Sequence, residues 1–352
     1  MLTITAIPGD GIGTEVLPAA ASVLDAAMGL HGHEISWTWV DWGCDHLVAT
    51  GAMMPADGIQ RLSECDAIFL GAVGRPDVPD HESLWGLLIP IRRAFDQYVN
   101  LRPVIQFDGV PPRVAMPEDA RVDMLIVREN TEGEYSEIGG RYGRGTPREF
   151  AVQENVFTRT GIERVARYAF ERASERRGHV TSATKSNGII HTMPFWDEIV
   201  ADVGRVFPSV GLRSVLIDAL AAEMVQRPQS FDVVVASNLF GDILSDLAAA
   251  TVGSLGLAPS GNIDPERRHP SMFEPVHGSA PDIAGRGIAN PVAAIWSGAM
   301  MLAHLGHPEV ADQVMSAIAA SLRSPATRTA DLAGTADTAT VTQAVISELG
   351  AA

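Results

Sequence analysis

Short continuous apolar runs alternate along the chain with longer stretches in which apolar residues return every three or four positions. Residues 2–7, 35–40, 67–70, 124–127 and 233–236 are runs of the first kind and predict short buried strands. Residues 179–183 and 214–217 are strand-like as well. Residues 14–28, 161–177, 192–203 and 242–250 carry the longer period and predict helices. This alternation predicts an α/β architecture with a substantially parallel sheet, because parallel neighbours need a helix-sized crossover between them. Residues 141–147, Arg-Tyr-Gly-Arg-Gly-Thr-Pro after Ile-Gly-Gly, predict a turn or arm rather than a helix. The pattern has no internal repeat and no Pro/Gly/Ser linker, so two domains would require the chain to cross between them more than once.

Length and charge narrow the partners. With 352 residues the chain can bury a sizeable core and form two domains or lobes. Its 43 acidic against 26 basic residues give a net charge of −17. That surface repels nucleic acid and anionic membrane but leaves room for a small anionic substrate where arginines gather. Two cysteines, Cys44 and Cys65, imply no disulfide framework and fit a reducing cytoplasm. The chain enters a strand at once, without a basic-then-apolar leader. Its longest apolar stretch, 288–305, is broken by Asn290, Pro291, Ser297, Gly298 and His304, so no membrane span is expected.

The first candidate for chemistry is Pro8-Gly9-Asp10-Gly11-Ile12-Gly13-Thr14-Glu15, between a predicted strand and a predicted helix. Its place suits a dinucleotide phosphate loop, but its spacing does not. The fingerprint needs Gly-x-Gly-x-x-Gly, whereas the glycines stand at 9, 11 and 13, and Thr14 takes the last position. No acid ends a second strand at the expected distance, since Asp41 comes too late. A tight strand-to-helix turn remains.

Four other groupings carry chemistry. Asp242 and Asp246, in Asn238-Leu-Phe-Gly-Asp-Ile-Leu-Ser-Asp246, stand four apart on a helix and project from one face. Either a hard divalent cation sits between them, or they decorate a helix N-terminus. Asp218 is a third acid at the end of a strand-like run. Arg92, Arg102 and Arg128 lie beside turns or apolar runs and can grip a polycarboxylate if they converge, or form surface ion pairs if they do not. Lys185 in Thr-Lys-Ser-Asn and Tyr135 after Glu134 can serve as a base and an acid. Finally, residues 273–285 read as a Gly/Pro/Ser-rich loop whose Asp282 can accept from ribose hydroxyls and repel a 2′-phosphate.

Together these stretches resemble the metal-dependent β-decarboxylating dehydrogenases, the family of the isocitrate, 3-isopropylmalate, tartrate and D-malate dehydrogenases. The likeness runs from Gly9-Asp-Gly-Ile-Gly13 to Ile288-Ala-Asn-Pro291 and beyond, and is most specific over 238–246 and 274–285. It implies an α/β isocitrate/isopropylmalate dehydrogenase-like fold with two lobes and a central cleft, not a Rossmann fold. Residues 1–98 and 254–352 would form the large cofactor-binding lobe. Residues 99–253 would form the small lobe, with the dimer interface, arm and metal-site residues. The resemblance also implies a homodimer with shared active sites.

Residue by residue, it assigns Arg92, Arg102 and Arg128 to substrate carboxylates, and Tyr135 and Lys185 to catalysis. Asp218, Asp242 and Asp246 become ligands of Mn²⁺ or Mg²⁺, with Lys185 and Asp218 reaching into the partner's site. His277, Gly278, Ser279, Ala280, Asp282 and Asn290 line the adenosine side, and Ile12 touches the nicotinamide ribose. Asp282-Ile283 stands where NADP-dependent isocitrate enzymes carry Lys-Tyr, which favours NAD. A monovalent cation is a further candidate cofactor.

The segment before Arg92 carries the substrate expectation. It reads Asp80-His-Glu-Ser-Leu-Trp85-Gly-Leu-Leu88-Ile-Pro-Ile-Arg92. Trp85 replaces the glutamate of isopropylmalate enzymes, and no hydroxyl stands ready for a third carboxylate. Together with Phe95-Asp-Gln-Tyr-Val-Asn-Leu-Arg102 it is similar to the tartrate/D-malate branch. Trp85 and Leu88 are the expected side-chain contacts. The expected reaction is NAD-dependent oxidation of tartrate or D-malate with metal-assisted β-decarboxylation. The alternative is 3-isopropylmalate oxidation, ahead of isocitrate oxidation or a non-catalytic regulatory subunit.

Overall fold

The computed structural model describes residues 1–350. Twelve strands form among them: β1 (Leu2–Gly9), β2 (Ile35–Trp39), β3 (Ala67–Ala72), β4 (Val99–Ile105), β5 (Asp123–Glu129), β6 (Gly139–Tyr142), β7 (Phe150–Gln153), β8 (His179–Thr184), β9 (Gly211–Leu216), β10 (Val233–Ala236), β11 (Pro259–Ile263) and β12 (Ser271–Pro275). The chain divides into two compact units. One comprises residues 1–97, 105–113 and those from Ala249 on; the other comprises 98–104 and 114–248. The chain thus passes from one unit to the other at 97/98, 104/105, 113/114 and 248/249. The stretch 105–113 belongs to the first unit, within the range that the resemblance gives to the small lobe.

In the first unit the strand order is β2-β1-β3-β12-β11. All neighbours are parallel except β11 and β12. Every residue of β3 is buried, as expected where both faces of a parallel sheet are covered. One face holds a cluster of Ile7, Ile68, Leu70 and Met272 with Leu87, Leu88, Ile91 and Phe95. The helices Gly13–Leu30, Val292–His304, Pro308–Ser321 and Thr338–Leu349 also pack in this unit.

In the second unit the order is β4-β5-β10-β8-β9, with β5, β10, β8 and β9 mutually parallel. Helices Arg159–Ser174 and Thr192–Gly204 pack on these strands and bury Phe170 and Trp196. Thr158 caps the first of them by accepting from the Gly161 N–H, and the Trp196 indole donates to Ser182 Oγ at 2.9 Å. Residues 141–147, expected as a turn or arm, lie in the β6–β7 hairpin, where Tyr142 stacks on Phe150.

Parallel strands end on the same edge. The carboxyl ends of β1, β3 and β12 therefore bring together the segments after Gly9, Ala72 and Pro275. Those of β5, β10, β8 and β9 bring together the segments after Glu129, Ala236, Thr184 and Leu216. Ligands of open parallel sheets bind at such edges.

Two local readings change. Residues 271–275 are a buried strand, not the start of a loop: Met272 and Phe273 register with Ile68 and Phe69 of β3. The helix expected at 242–250 starts earlier and spans Asn238–Val252, with no acid in its first turn. Asp242 and Asp246 are therefore not N-terminal decorations, and the dipole does not account for them. Among the described residues no helix is long and apolar enough to cross a membrane.

Candidate active site

The second unit gathers five of the expected site residues around the start of helix Asn238–Val252. Arg128 is the last but one residue of β5, opposite Ala236 of β10, and its side chain is only 2% exposed. It fits because residue 241 is glycine: a Cβ there would lie 2.6 Å from Arg128 Cβ and Cγ. Arg128 Nε and Nη2 both donate to Asn238 Oδ1, at 3.1 and 2.7 Å. This fork aims Nη1 at Asp242 Oδ1. Arg102, on β4, adds Nη2 to the same oxygen at 3.2 Å and reaches Asp246 Oδ1 at 3.4 Å with Nη1. Its Nη1 also donates to Ser245 Oγ at 2.5 Å. Tyr135 donates its hydroxyl to Asp242 Oδ2 at 3.1 Å.

The result is a layered arrangement. The two guanidiniums lie underneath, 8% and 2% exposed, and the carboxylates of Asp242 and Asp246 lie above, 36% and 53% exposed. Burial raises the pKa of Asp246 and the charge of Asp242 adds to it, while Arg102 and Arg128 oppose them. Two partly exposed carboxylates on one helix face supply the oxygen donors that Mg²⁺ and Mn²⁺ take, so these residues fit a hard divalent cation.

The segment joining Arg128 to Tyr135 is tied down at two points. Glu129 is 1% exposed, and its carboxylate accepts from Thr131 N, Thr131 Oγ1 and Glu132 N, each at 2.9 Å. Burial nevertheless pushes its pKa up to about 7. Glu134 accepts from Ser237 Oγ at 2.7 Å and from Leu239 N at 3.1 Å, where the Asn238–Val252 helix begins. Asn238 Nδ2 adds a 3.1 Å bond to the Glu132 carbonyl. The acids Glu129 and Glu134 therefore fix Tyr135 against the helix that carries Asp242. In the sequence they look like ordinary surface charges, and only the adjacency of Glu134 to Tyr135 hinted at this.

Lys185 and Asp218 form a separate pair in the same unit. Lys185 follows β8, Asp218 follows β9, and these strands are parallel neighbours. Lys185 Nζ lies 2.5 Å from Asp218 Oδ1, which lowers the Asp218 pKa. Among the described residues no three acidic, His or Cys side chains form a metal-binding group. One chain therefore does not bring Asp218 together with Asp242 and Asp246.

In the first unit the opening glycines solve a packing problem. Gly9 and Gly11 have φ of +68° and +55°, and a Cβ on them would run into the carbonyls of Ala72 and Ser279. Asp10, buried, accepts from Cys44 N and Gly74 N, each at 2.8 Å. Ile12 is buried, and its N–H donates to the Ser279 carbonyl at 2.8 Å. The opening loop therefore braces the loop after β12. In that second loop Gly278 and Asp282 are exposed, Ala280 has φ of +39°, and Ser279 is buried. His277 keeps Nδ1 near the Gly278 carbonyl, and among the described residues its buried Nε2 has no hydrogen-bond partner. Burial lowers its pKa, which favours the neutral ring. A neutral ring with an unmet nitrogen fits a nucleotide's polar edge. The Asn290 side chain is spent internally, donating to Asp331 and accepting from Val292 N, each at 3.1 Å.

The substrate segment divides sharply. Leu84–Leu88 is a π-helical turn, closed by Ile89 N–H to the Leu84 carbonyl. Pro90, lacking an N–H, cannot bond the Gly86 carbonyl, which accounts for the wider turn. Leu88 points into the core cluster, whereas Trp85 is half-buried with the Arg93 guanidinium 5.0 Å from its ring centre. Arg92 is buried and pairs with Glu274 at 2.9 Å, and Asn262 donates to the same Glu274 oxygen.

Residues 3–349 match the family model described as isocitrate/isopropylmalate dehydrogenase. The chain belongs to that family. The dehydrogenases of the isocitrate/isopropylmalate family use NAD and a divalent metal, and are usually dimeric. Among curated family members, the chain is 51% identical to a probable tartrate dehydrogenase/decarboxylase of Bacillus subtilis, over 98% of this chain and 97% of the relative. It is 52% identical to the D-malate dehydrogenase [decarboxylating] of Escherichia coli, over 98% and 97%. Among solved structures of the family, isocitrate dehydrogenase from Methylococcus capsulatus superposes with a TM-score of 0.90, at 36% identity and 99% coverage of each chain.

Proposed function

We propose that this chain is an NAD-dependent, divalent-metal-dependent dehydrogenase that oxidises tartrate or D-malate at the 2-hydroxyl and releases the β-carboxylate as CO₂. The observation that carries this reading is the layer of Arg102 and Arg128 beneath Asp242, Asp246 and Tyr135. When bound, the metal polarises the substrate hydroxyl and the NAD accepts the hydride. Asp242 and Asp246 hold the metal with Asp218 of a second copy. Arg102 and Arg128 hold substrate carboxylates, exchanging aspartate partners for the substrate. Arg92 contributes through the nitrogens that Glu274 does not occupy. Lys185 of the second copy takes the hydroxyl proton, and Tyr135, which carries a donating hydroxyl, returns a proton to carbon after CO₂ leaves.

The dimer is part of the proposal. The β6–β7 hairpin exposes Ile138, Tyr142, Phe150 and Val152. An isolated two-stranded ribbon is marginal in water, so a second copy covers it. Trp85, rather than Leu88, meets the substrate, because Leu88 is committed to the core. That argues against a leucine-lined alkyl pocket and for a small dicarboxylate. The test is the initial rate with NAD and Mn²⁺ on D-malate, the tartrates, 3-isopropylmalate and isocitrate. D-malate or a tartrate is expected to give the highest kcat/KM; a clear preference for 3-isopropylmalate overturns the substrate assignment.

A further inference from the structure

We propose that Glu15 is a positioning residue for the dinucleotide. The connection from Val276 to Pro291 is long and lacks regular structure, so few bonds of its own define its shape. Gly285 and Gly287 adopt φ of +77° and +65°, and their amides converge on one point. Alternating backbone of this kind makes an anion-binding concavity. Glu15 fills it: Oε1 accepts from Gly285 N at 2.5 Å and Oε2 from Gly287 N at 2.7 Å. Nothing lies within 4 Å of a Cβ built on either glycine, so backbone conformation rather than space sets the requirement for glycine.

The carboxylate sits in the first turn of helix Gly13–Leu30, yet it serves a loop about 270 residues away in sequence. It completes a three-point clamp. Ile12 N–H holds the Ser279 carbonyl at 2.8 Å, Glu15 holds Gly285 and Gly287, and Thr338 N–H holds the Gly287 carbonyl at 2.9 Å. Between the clamped points the loop presents exposed Asp282. His277, with its unmet Nε2, stands two residues before Ser279. The opening glycine motif thus serves the dinucleotide indirectly. It does not cradle phosphate; its last residue satisfies the loop's anion site with an internal carboxylate and keeps His277 to Asp282 in binding shape.

This inference rests on the reading of residues 277–282 as the dinucleotide loop, and the experiment separates the two. NADH binding to the whole protein is followed by fluorescence for wild type, Glu15→Ala and the isosteric Glu15→Gln. Steady-state constants and amide hydrogen exchange of the 280–288 segment are measured alongside. Loss of the clamp makes the competent loop a minority state, so the dissociation constant for NADH and the KM for NAD rise about tenfold, in proportion to that fraction. The segment loses exchange protection, while kcat and the dicarboxylate KM stay as in wild type. Glu15→Gln, which keeps the side chain's volume, carries the same readout if Glu15→Ala does not fold. An NADH affinity within about twofold of wild type overturns the proposal, as does a fall in kcat with a matching rise in the dicarboxylate KM. A wild-type protein that binds NADH but turns over no dicarboxylate refutes the proposed reaction and leaves the role of Glu15 standing. One that binds no dinucleotide overturns both.

Discussion

Replacing Glu129 by glutamine tests the tether beneath Tyr135 through its titration. The carboxyl is fully buried, accepts three hydrogen bonds, and has Glu132 close by as a like charge. Arg164 donates to the Thr131 hydroxyl at 2.9 Å and lies over the Tyr98 ring, 4.1 Å from its centre. Burial wins, and the pKa rises from 4.5 to about 7. The sign follows from the raised value. Between these limits the folded chain binds more protons than the unfolded one, so stability falls as pH rises through the window. Each pH unit is worth about 1.4 kcal/mol, so the full span costs about 3 kcal/mol by pH 8. Glu129→Gln removes this titration but turns an amide nitrogen toward a backbone N–H, a loss of about 1 kcal/mol at any pH. The variant should therefore be less stable than wild type near pH 5 and more stable by about 2 kcal/mol near pH 8. Urea midpoints of the two proteins over this range provide the assay, since titrations common to both cancel. Parallel profiles would refute the reasoning.

Other outcomes follow from the same geometry. Tyr135→Phe removes the hydroxyl facing Asp242 and should slow decarboxylation or enolate protonation about 100-fold while sparing hydride transfer, seen as NADH formed ahead of pyruvate. Equal slowing of both would take the acid role from Tyr135. Lys185→Met and Asp246→Asn should each be inactive, yet regain activity when co-refolded, because one site of the mixed dimer then has both intact side chains. No recovery would place Lys185 and Asp246 in the same chain's site. Phe150→Glu breaks the ring pair with Tyr142 on the exposed hairpin and should shift the protein toward monomer on gel filtration, with loss of activity. An unchanged elution volume would separate the hairpin from the dimer.

Most elements were legible from apolar runs, because β1, β3, β5 and β10 are buried on both faces and read as continuous apolar stretches. β11 and β12 were not. Pro259-Ser-Gly-Asn-Ile263 is fully buried but mostly polar or small, and becomes a strand through its antiparallel partner rather than through its own pattern. Asp242 and Asp246 could be placed on one helix face from their spacing. That this face lies over two buried arginines could not, because Arg102, Arg128 and the helix come from distant segments. The bonds of Glu15 to Gly285 and Gly287, and of Glu134 to Ser237, likewise span separations over which local pattern is silent. The glycine spacing in the opening motif excluded a phosphate loop, but only the fold shows that these glycines press against Ala72 and Ser279.

The central claim is an oxidation coupled to loss of CO₂ at a metal-dependent site. Purified protein with D-malate, NAD and Mn²⁺ should release NADH, pyruvate and CO₂ in equal amounts. A chelator should abolish all three together. NADH without CO₂, or turnover that survives removal of the metal, would contradict the account.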